Sequence, residues 1–250
     1  FGFLFKKTSK DEALENLKPG EAKDLLESLA VKPKGKKPFR GAERMRVRLS
    51  NVPEESLPPS EPLQTTVGQG VYEITMPEEP ESISGAFSDG LTEFLESDPF
   101  VQAESLRIVE QAEAIVDPGD NTWTRAMKIY GWVYANIEKT IVLSFPSALD
   151  VLETRQGDCN EHTVLYAALA RAADVPTRIA IGVVWSGTLQ GFYYHAWPEV
   201  FVGTWIPIDP TLGQPLADAT HIKLLTGSIE KWPQLVPFLG QLEGEVLSVE

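Results

Sequence analysis

The apolar segment from Cys159 to Val202 changes its periodicity at Val175 and Pro176, and this change constrains the fold strongly. Before it, "CNEHTVLYAALARAA" has the alanine and leucine content of a buried helix. After it, "TRIAIGVVW", "FYYHAWPEVFV" and "TWIPID" are rich in β-branched and aromatic residues, with turns at "SGTLQG" and "VGT". A helix followed by an antiparallel meander indicates an α+β fold.

Further elements are predicted on both sides of this segment. Three helices precede it, in "SLRIVEQAEAIV", "NTWTRAMKIYGWVYANIE" and "PSALDVLETRQ". After it, "HIKLLTG" predicts a strand, "EKWPQLVPFLG" a helical or turning segment, and "EVLSVE" a last strand.

The first hundred residues have a different character. Residues 9–30 predict two short amphipathic helices broken at Pro19, and "RMRVRLS" and "VYEITM" alternate as half-buried strands do. We therefore expect three parts. Residues 1–42 form a helical and basic N-terminal segment with a linker, residues 43–97 a β-containing accessory region, and residues 98–250 the main domain.

The formal net charge of −14 opposes binding to nucleic acid, because such a surface repels phosphates. The one basic tract is "VKPKGKKPFR", from Val31 to Arg40. It could touch a polyanion or a membrane surface, but proline and glycine interrupt it, so we favour a solvated linker.

The chain contains a single cysteine, Cys159. A lone cysteine is often an inert core residue. This one follows Gly157 and Asp158 at the predicted start of a helix, where backbone N–H groups and the helix dipole favour a thiolate and can stabilise an oxyanion. The sequence therefore leaves two interpretations open, core residue and nucleophile.

Two other residues have the chemistry to assist a thiol. His195 lies within a predicted strand, which is a rigid support for a general base. Asp209 ends the next apolar strand, and 14 residues with one turn separate it from His195, as expected for neighbouring antiparallel strands. A carboxylate there can fix the tautomer of the imidazole and stabilise the imidazolium.

At this point a family resemblance is visible. "GDCNEHTVLYAALARAADVPTR", "YYHAWPEVF" and "WIPIDPT" resemble, in order and spacing, the three core blocks of the transglutaminase-like superfamily, especially its bacterial members. The resemblance covers roughly residue 98 to the C-terminus. It implies a papain-like core in which the nucleophile begins a helix packed on an antiparallel sheet.

The resemblance also implies roles: Cys159 as nucleophile, His195 as base and acid, and Asp209 as the residue that orients the imidazole. The implied reaction is acyl transfer through a thioester on protein or peptide amides. Hydrolysis is slightly favoured over cross-linking to an amine. A non-catalytic binding or scaffold module of the same fold is the competing interpretation.

The chain departs from the cross-linking animal members, which have Gly-Gln-Cys-Trp where this chain has Gly-Asp-Cys-Asn. Phe145 stands near the place of their oxyanion-supporting tryptophan and offers no donor. We expect substrate contacts from residues near the proposed nucleophile and base: Asp158, Asn160, His162, Trp197 and Phe145. Structural roles compete at His162, at Trp197 and at Asp158, which can cap the helix.

No cofactor or metal is predicted, because no cation-binding loop is present. Gln214 and His221 lie in a stretch similar to bacterial members, and the sequence assigns neither a chemical role. No apolar run approaches the roughly 18 residues of a membrane span. "FGFLFKK" at the start is expected to be the remainder of a removed anchor, so we expect an extracytoplasmic protein: periplasmic, secreted or membrane-anchored.

Overall fold

The computed structural model describes residues 29–52, 56–80, 89–140, 147–227 and 229–250. Four α-helices lie in these residues: α1 (Leu106–Ile115), α2 (Thr122–Asn136), α3 (Ala148–Thr154) and α4 (Cys159–Ala172). Two 3-10 helices span Asp89–Phe94 and Ile229–Leu235. The strands of the described chain are β1 (Lys34–Gly35), β2 (Arg44–Ser50), β3 (Gln64–Gly68), β4 (Val71–Thr75), β5 (Glu138–Lys139), β6 (Gln156–Gly157), β7 (Thr177–Ser186), β8 (Gly191–Phe201), β9 (Trp205–Pro207), β10 (Ile222–Thr226) and β11 (Glu243–Val249).

Helix α4 is the centre of the main domain. Every residue from 161 to 170 is buried, because the helix packs on β7 and β8 on one side and on α1, α2 and α3 on the other. The sheet beneath it is antiparallel, with strand order β10-β7-β8-β9. The predicted α+β fold is therefore confirmed.

Local sequence signals fix the ends of the smaller helices. The Asn121 side chain accepts a hydrogen bond from the Thr124 N–H and caps α2. Ser147 caps α3 in the same way through the Asp150 N–H. Helix α3 ends at Thr154, and its C-cap residue Arg155 adopts the left-handed conformation with φ 54°. This turn leads the chain directly into β6.

A second sheet, with strand order β1-β11-β2-β4-β3, combines the accessory region with the last strand of the chain. In β2, Met45, Val47 and Leu49 are buried and the arginines between them are exposed, as the alternation predicted. Strand β3 was not predicted, because "QTTVG" has no apolar alternation. The division of the chain near residues 42 and 97 stays a prediction.

The basic tract makes backbone contacts at several points, although its four lysines are all exposed. Val31 exchanges two backbone hydrogen bonds with Phe192, and β1 pairs in parallel with β11. Arg40 donates to the Leu212 carbonyl, and the next residue, Gly41, donates its N–H to Asp218 Oδ2 at 2.8 Å. The tract thus contacts β8, β11 and the loop that follows β9, and its assignment as a linker stays a prediction.

A buried polar junction joins the two sheets. The Gln64 side chain pairs with the backbone of Lys223 on the edge strand β10, with its Nε2 and Oε1 each 2.8 Å from a backbone partner. The Lys223 ammonium contacts Glu199 at 2.8 Å and Glu61 at 2.7 Å. Arg178 binds the same two carboxylates. Two cations thus compensate two carboxylates at this interface.

The helices predicted between residues 9 and 30 lie almost wholly outside the described residues. Within the described chain, no helix combines the length and the hydropathy that a bilayer crossing requires.

The junction predicts an unequal response to loss of a cation. Lys223→Ala leaves Glu61 and Glu199 with Arg178 alone, so we expect a loss of about 3 to 5 kcal/mol in the free energy of unfolding, measured in urea. Arg46→Ala breaks an ion pair with Glu73 in which the arginine is 52% exposed, and we expect a cost below about 1 kcal/mol. Equal losses in the two variants would contradict this account.

Candidate active site

Cys159 is the first residue of α4, and a capping box holds it there. The Asp158 side chain accepts from the Asn160 N–H at 2.9 Å, and Glu161 Oε2 accepts from the Asp158 N–H at 2.9 Å. Gly157 makes this packing possible, because a Cβ at that position would lie 2.0 Å from the Glu161 Cβ. As the first residue of α4, Cys159 has an N–H without an acceptor within the helix, as at the start of any α-helix.

The thiol lies between its own helix and strand β8. Its Sγ is 3.7 Å from Asn160 Oδ1, and the backbone of Ala196, the residue after His195, also hydrogen-bonds to it. Thr163 Oγ1 donates to the Ala196 carbonyl at 3.0 Å and fastens the helix to the same point of the strand. Cys159 is partly exposed as a residue, while its sulfur atom is buried.

The expectation of a lowered thiol pKa is not met. Burial of the sulfur atom, followed by the negative charge of Asp158, raises the pKa of the Cys159 thiol well above its ordinary value. The hydrogen bond from Ala196 opposes this shift, and the charges of Asp209 and Glu161 add to it. Together these contributions leave the pKa of the thiol raised, which favours its neutral form.

His195 lies in β8 and contacts Asp209, which lies two residues after the end of β9. His195 Nε2 lies 2.7 Å from Asp209 Oδ2, and both side chains are buried. A carboxylate accepts, so Nε2 carries the hydrogen and Nδ1 of the neutral ring carries a lone pair. The strand pairing and the spacing had predicted this contact.

The Asp209 carboxylate is held from several directions. Its Oδ1 accepts from the Thr211 and Leu212 N–H groups at 2.8 and 2.9 Å. Its backbone exchanges two hydrogen bonds with Gln214. Hydrogen bonds and charges from His195 and His221 lower the pKa of Asp209 far below its usual range, although its burial acts in the opposite direction and is the largest single effect. The carboxylate is therefore ionised and fixed.

Comparison with known proteins now places this part of the chain. Residues 110–210 match the family model of the transglutaminase-like superfamily. These residues form a transglutaminase-like core. The resemblance inferred from the three sequence blocks is confirmed.

Two solved structures are similar over most of the chain. One is a candidate cysteine protease from Cytophaga hutchinsonii, with 16% identity and a TM-score of 0.48, covering 88% of this chain and 85% of that one. The other is the periplasmic domain of TgpA from Pseudomonas aeruginosa, with 14% identity and a TM-score of 0.46, covering 74% and 76%. No curated protein matches the chain.

A further histidine, which lies outside the residues that match the family model, contacts Asp209. His221 Nε2 lies 3.1 Å from Asp209 Oδ2, and His221 Nδ1 lies 3.1 Å from the Asp218 carbonyl and 3.5 Å from Asp218 Oδ1. The sequence analysis assigned no role to His221, because no periodic pattern connects it with Asp209. We call His195, Asp209, His221 and Asp218 the acid–histidine row.

Three members of this row, His195, Asp209 and His221, have potential ligand atoms within 4.8 Å of one another, a spacing that a divalent ion can also use. In the structure these atoms are engaged in hydrogen bonds to each other. We therefore treat them as a hydrogen-bonded row and assign no metal to them.

The other predicted site residues differ in position. Asn160 is half-buried beside the thiol and Asp158 is half-buried as the helix cap. His162 is fully buried, and its Nδ1 contacts the Asp158 carbonyl at 2.7 Å. Trp197 is 1% exposed and stacks on His195, with ring centroids 6.1 Å apart. We interpret His162 and Trp197 as packing residues. Phe145 lies outside the described residues.

The thiol environment predicts the effect of removing charge. Asp158→Asn combined with Glu161→Gln keeps side chains that can cap the helix but removes carboxyl groups beside the sulfur. We expect a lower pKa of Cys159 and labelling by iodoacetamide at pH 7.5 that is about 3- to 10-fold faster. Intact-protein mass spectrometry from pH 6 to 10 measures this. Asp174→Asn, at a carboxylate that is 84% exposed, is the control, and unchanged labelling in the double variant would contradict the assignment.

The row also predicts how stability depends on pH. Hydrogen bonds to Asp209 and Asp218 raise the pKa of His221 to about 9 against the desolvating effect of its burial. This folded-state pKa lies above the unfolded value, so the stabilisation is complete below about pH 6.5 and is lost as the pH rises towards 9.

We expect wild-type protein to lose about 2 to 3 kcal/mol more unfolding free energy between pH 6 and 8.5 than His221→Gln loses. Urea titrations of both proteins at the two pH values give this difference. Parallel pH dependence in both would show that His221 is neutral in the folded state.

Proposed function

We propose that this protein is a cysteine hydrolase of protein or peptide amide bonds, with Cys159 as nucleophile, His195 as base and acid, and Asp209 as the residue that orients His195. One observation carries the proposal: His195 Nε2 lies 2.7 Å from the buried Asp209 carboxylate, and the backbone of Ala196, the residue that follows His195 in β8, hydrogen-bonds to the Cys159 thiol. Nε2 is occupied by Asp209, and Nδ1 is thereby left for the thiol proton.

The first half of the proposed reaction forms a thioester. His195 Nδ1 accepts the proton of the neutral Cys159 thiol as the sulfur attacks the amide carbonyl. The Cys159 N–H, at the positive end of α4, donates to the oxyanion of the tetrahedral intermediate. The carbon–nitrogen bond then breaks, and the imidazolium of His195 returns its proton to the leaving amine.

The second half releases the acyl group. His195 Nδ1 accepts a proton from water as the water oxygen attacks the thioester carbonyl, and the carbon–sulfur bond of the tetrahedral intermediate then breaks. The imidazolium of His195 returns that proton to the departing sulfur, which gives a carboxylic acid and the neutral Cys159 thiol. Water needs no binding site of its own, so we propose hydrolysis as the main outcome. An amine such as a lysine side chain is the alternative acceptor and would give an amide cross-link through the same intermediate.

The raised pKa of Cys159 determines the role proposed for His195 in the first step. A neutral thiol has to lose its proton during attack, which makes His195 a general base in the acylation step. This differs from an enzyme that holds a preformed thiolate–imidazolium pair. The reaction rate should therefore depend on the protonation state of His195.

The setting of the activity is proposed on sequence grounds. Bacterial members of the resembled family are often exported or tethered, so we propose an extracytoplasmic location. The net charge of −14 favours a protein or peptide partner over a nucleic acid.

The central test is incubation of a peptide library with the protein, with and without an added primary amine, followed by mass spectrometry. We expect cleaved or deamidated peptides, and only a minor fraction carrying the amine. Cys159→Ala should abolish products, and His195→Ala and Asp209→Asn should each lower turnover by about 10³-fold or more.

Controls separate chemistry from folding. Circular dichroism and thermal melting should give a folded Cys159→Ala protein, because the substitution removes only one sulfur atom from the core. Predominant amine incorporation would replace hydrolysis by cross-linking. Absence of any Cys159-dependent product would favour the non-catalytic binding module.

A further inference from the structure

His221 is a second buried histidine on the carboxylate that contacts His195. It is 5% exposed, and its ring centroid lies 6.0 Å from that of His195. The close approach depends on Gly182, which pairs with His195 on one side and with Lys223 on the other. A Cβ at Gly182 would lie 2.0 Å from the Ile222 carbonyl oxygen, so only glycine lets the start of β10 come this near.

The hydrogen-bond partners of His221 determine its protonation. Nε2 contacts a carboxylate oxygen of Asp209, and Nδ1 contacts the carbonyl of Asp218. Both partners can only accept, because the Asp209 oxygens also accept from His195, Thr211 and Leu212. Both ring nitrogens of His221 must therefore carry hydrogen, which makes the ring an imidazolium.

Asp218 is ionised by the same reasoning. Its Oδ1 accepts from the N–H and the hydroxyl of Thr220, and its Oδ2 accepts from the Gly41 N–H and from Gln214 Nε2. Every partner of the carboxylate is a donor. The row therefore alternates in charge, with Asp218 negative, His221 positive and Asp209 negative.

Other charged groups near His221 are already compensated. Lys223, Glu199 and Glu61 line the same small cavity as His221, and they pair with each other and with Arg178. The charges that face His221 directly are those of Asp209 and Asp218. Its positive charge is thus directed at the carboxylate that orients His195.

We infer that His221 is a positioning residue of the proposed acyl-transfer reaction: as a buried cation it fixes the Asp209 carboxylate towards His195 Nε2. This inference rests on the proposed function. The hydrogen bond and the positive charge of His221 both hold Asp209 Oδ2 at the point where it contacts His195 Nε2. His195 Nδ1 is then held ready to accept the proton of the thiol.

Two variants separate the two contributions of His221. His221→Gln retains an amide donor near the position of Nε2 but removes the positive charge. His221→Asn has a shorter side chain, with its amide near the position of Nδ1, and loses the contact with Asp209 as well. Tyr166→Phe is the control, since it removes a buried hydrogen bond to the Ala126 carbonyl without changing any charge.

The first measurement requires no substrate. The chain has three histidines, so NMR can follow the ring signals of each one after assignment by variants. We expect the Nε2 proton of His195, which Asp209 accepts, to exchange with solvent about 10-fold faster in His221→Asn than in wild type, and at the wild-type rate in Tyr166→Phe. An unchanged exchange rate in both His221 variants would overturn the inference.

The second measurement uses whichever peptide the wild-type protein cleaves. We expect kcat to fall by about 3- to 10-fold in His221→Gln, which keeps a donor, and by about 10- to 100-fold in His221→Asn, which does not, with KM little changed in both. A wild-type kcat in both variants would overturn the inference while the proposed function stands. Absence of Cys159-dependent product in wild type would instead overturn the proposed function, and the NMR measurement would still decide the inference.

Discussion

The ionised carboxylate of Asp209 is completely buried, and four N–H groups make this state possible. Two come from the backbone of Thr211 and Leu212 and two from the rings of His195 and His221. A buried carboxylate without such donors would be protonated instead. The loop after β9 and the start of β10 must therefore be in place before His195 has its orientation.

The same charges that fix the imidazole act against the thiol. Asp158 caps the helix that begins at Cys159, and its charge raises the pKa of that thiol. Glu161, the other half of the capping box, is itself shifted by burial and by Asp158 to a pKa of about 8. The site therefore combines a thiol whose pKa is raised with an imidazole that is fixed by Asp209.

Much of this arrangement could be predicted from the sequence because it depends on local patterns. The helix that starts at Cys159 is marked by composition and by its capping residues, and the His195–Asp209 contact follows from two strands and one turn. The exposed arginines of β2 follow from simple alternation.

The parts that could not be predicted depend on long-range contacts without a local signal. His221 stands in a stretch without periodicity, and its partners are set by how β10 approaches Gly182. The two residues of β1 pair with a strand more than two hundred positions away. The burial that shifts the thiol pKa is likewise a property of the assembled core, whereas the sequence showed only the helix terminus.

Strand β11 has a consequence for the order in which the protein is made. It lies between β1 and β2, and backbone bonds from Lys36 and Glu43 to Val246 and Glu250 hold both flanks of the segment that supplies the Gly41 N–H to Asp218. On the ribosome, the thiol, the imidazole and the carboxylate all emerge before this strand does. The nascent chain thus carries the thiol, the imidazole and the carboxylate without the support that completes the row until β11 has been synthesised.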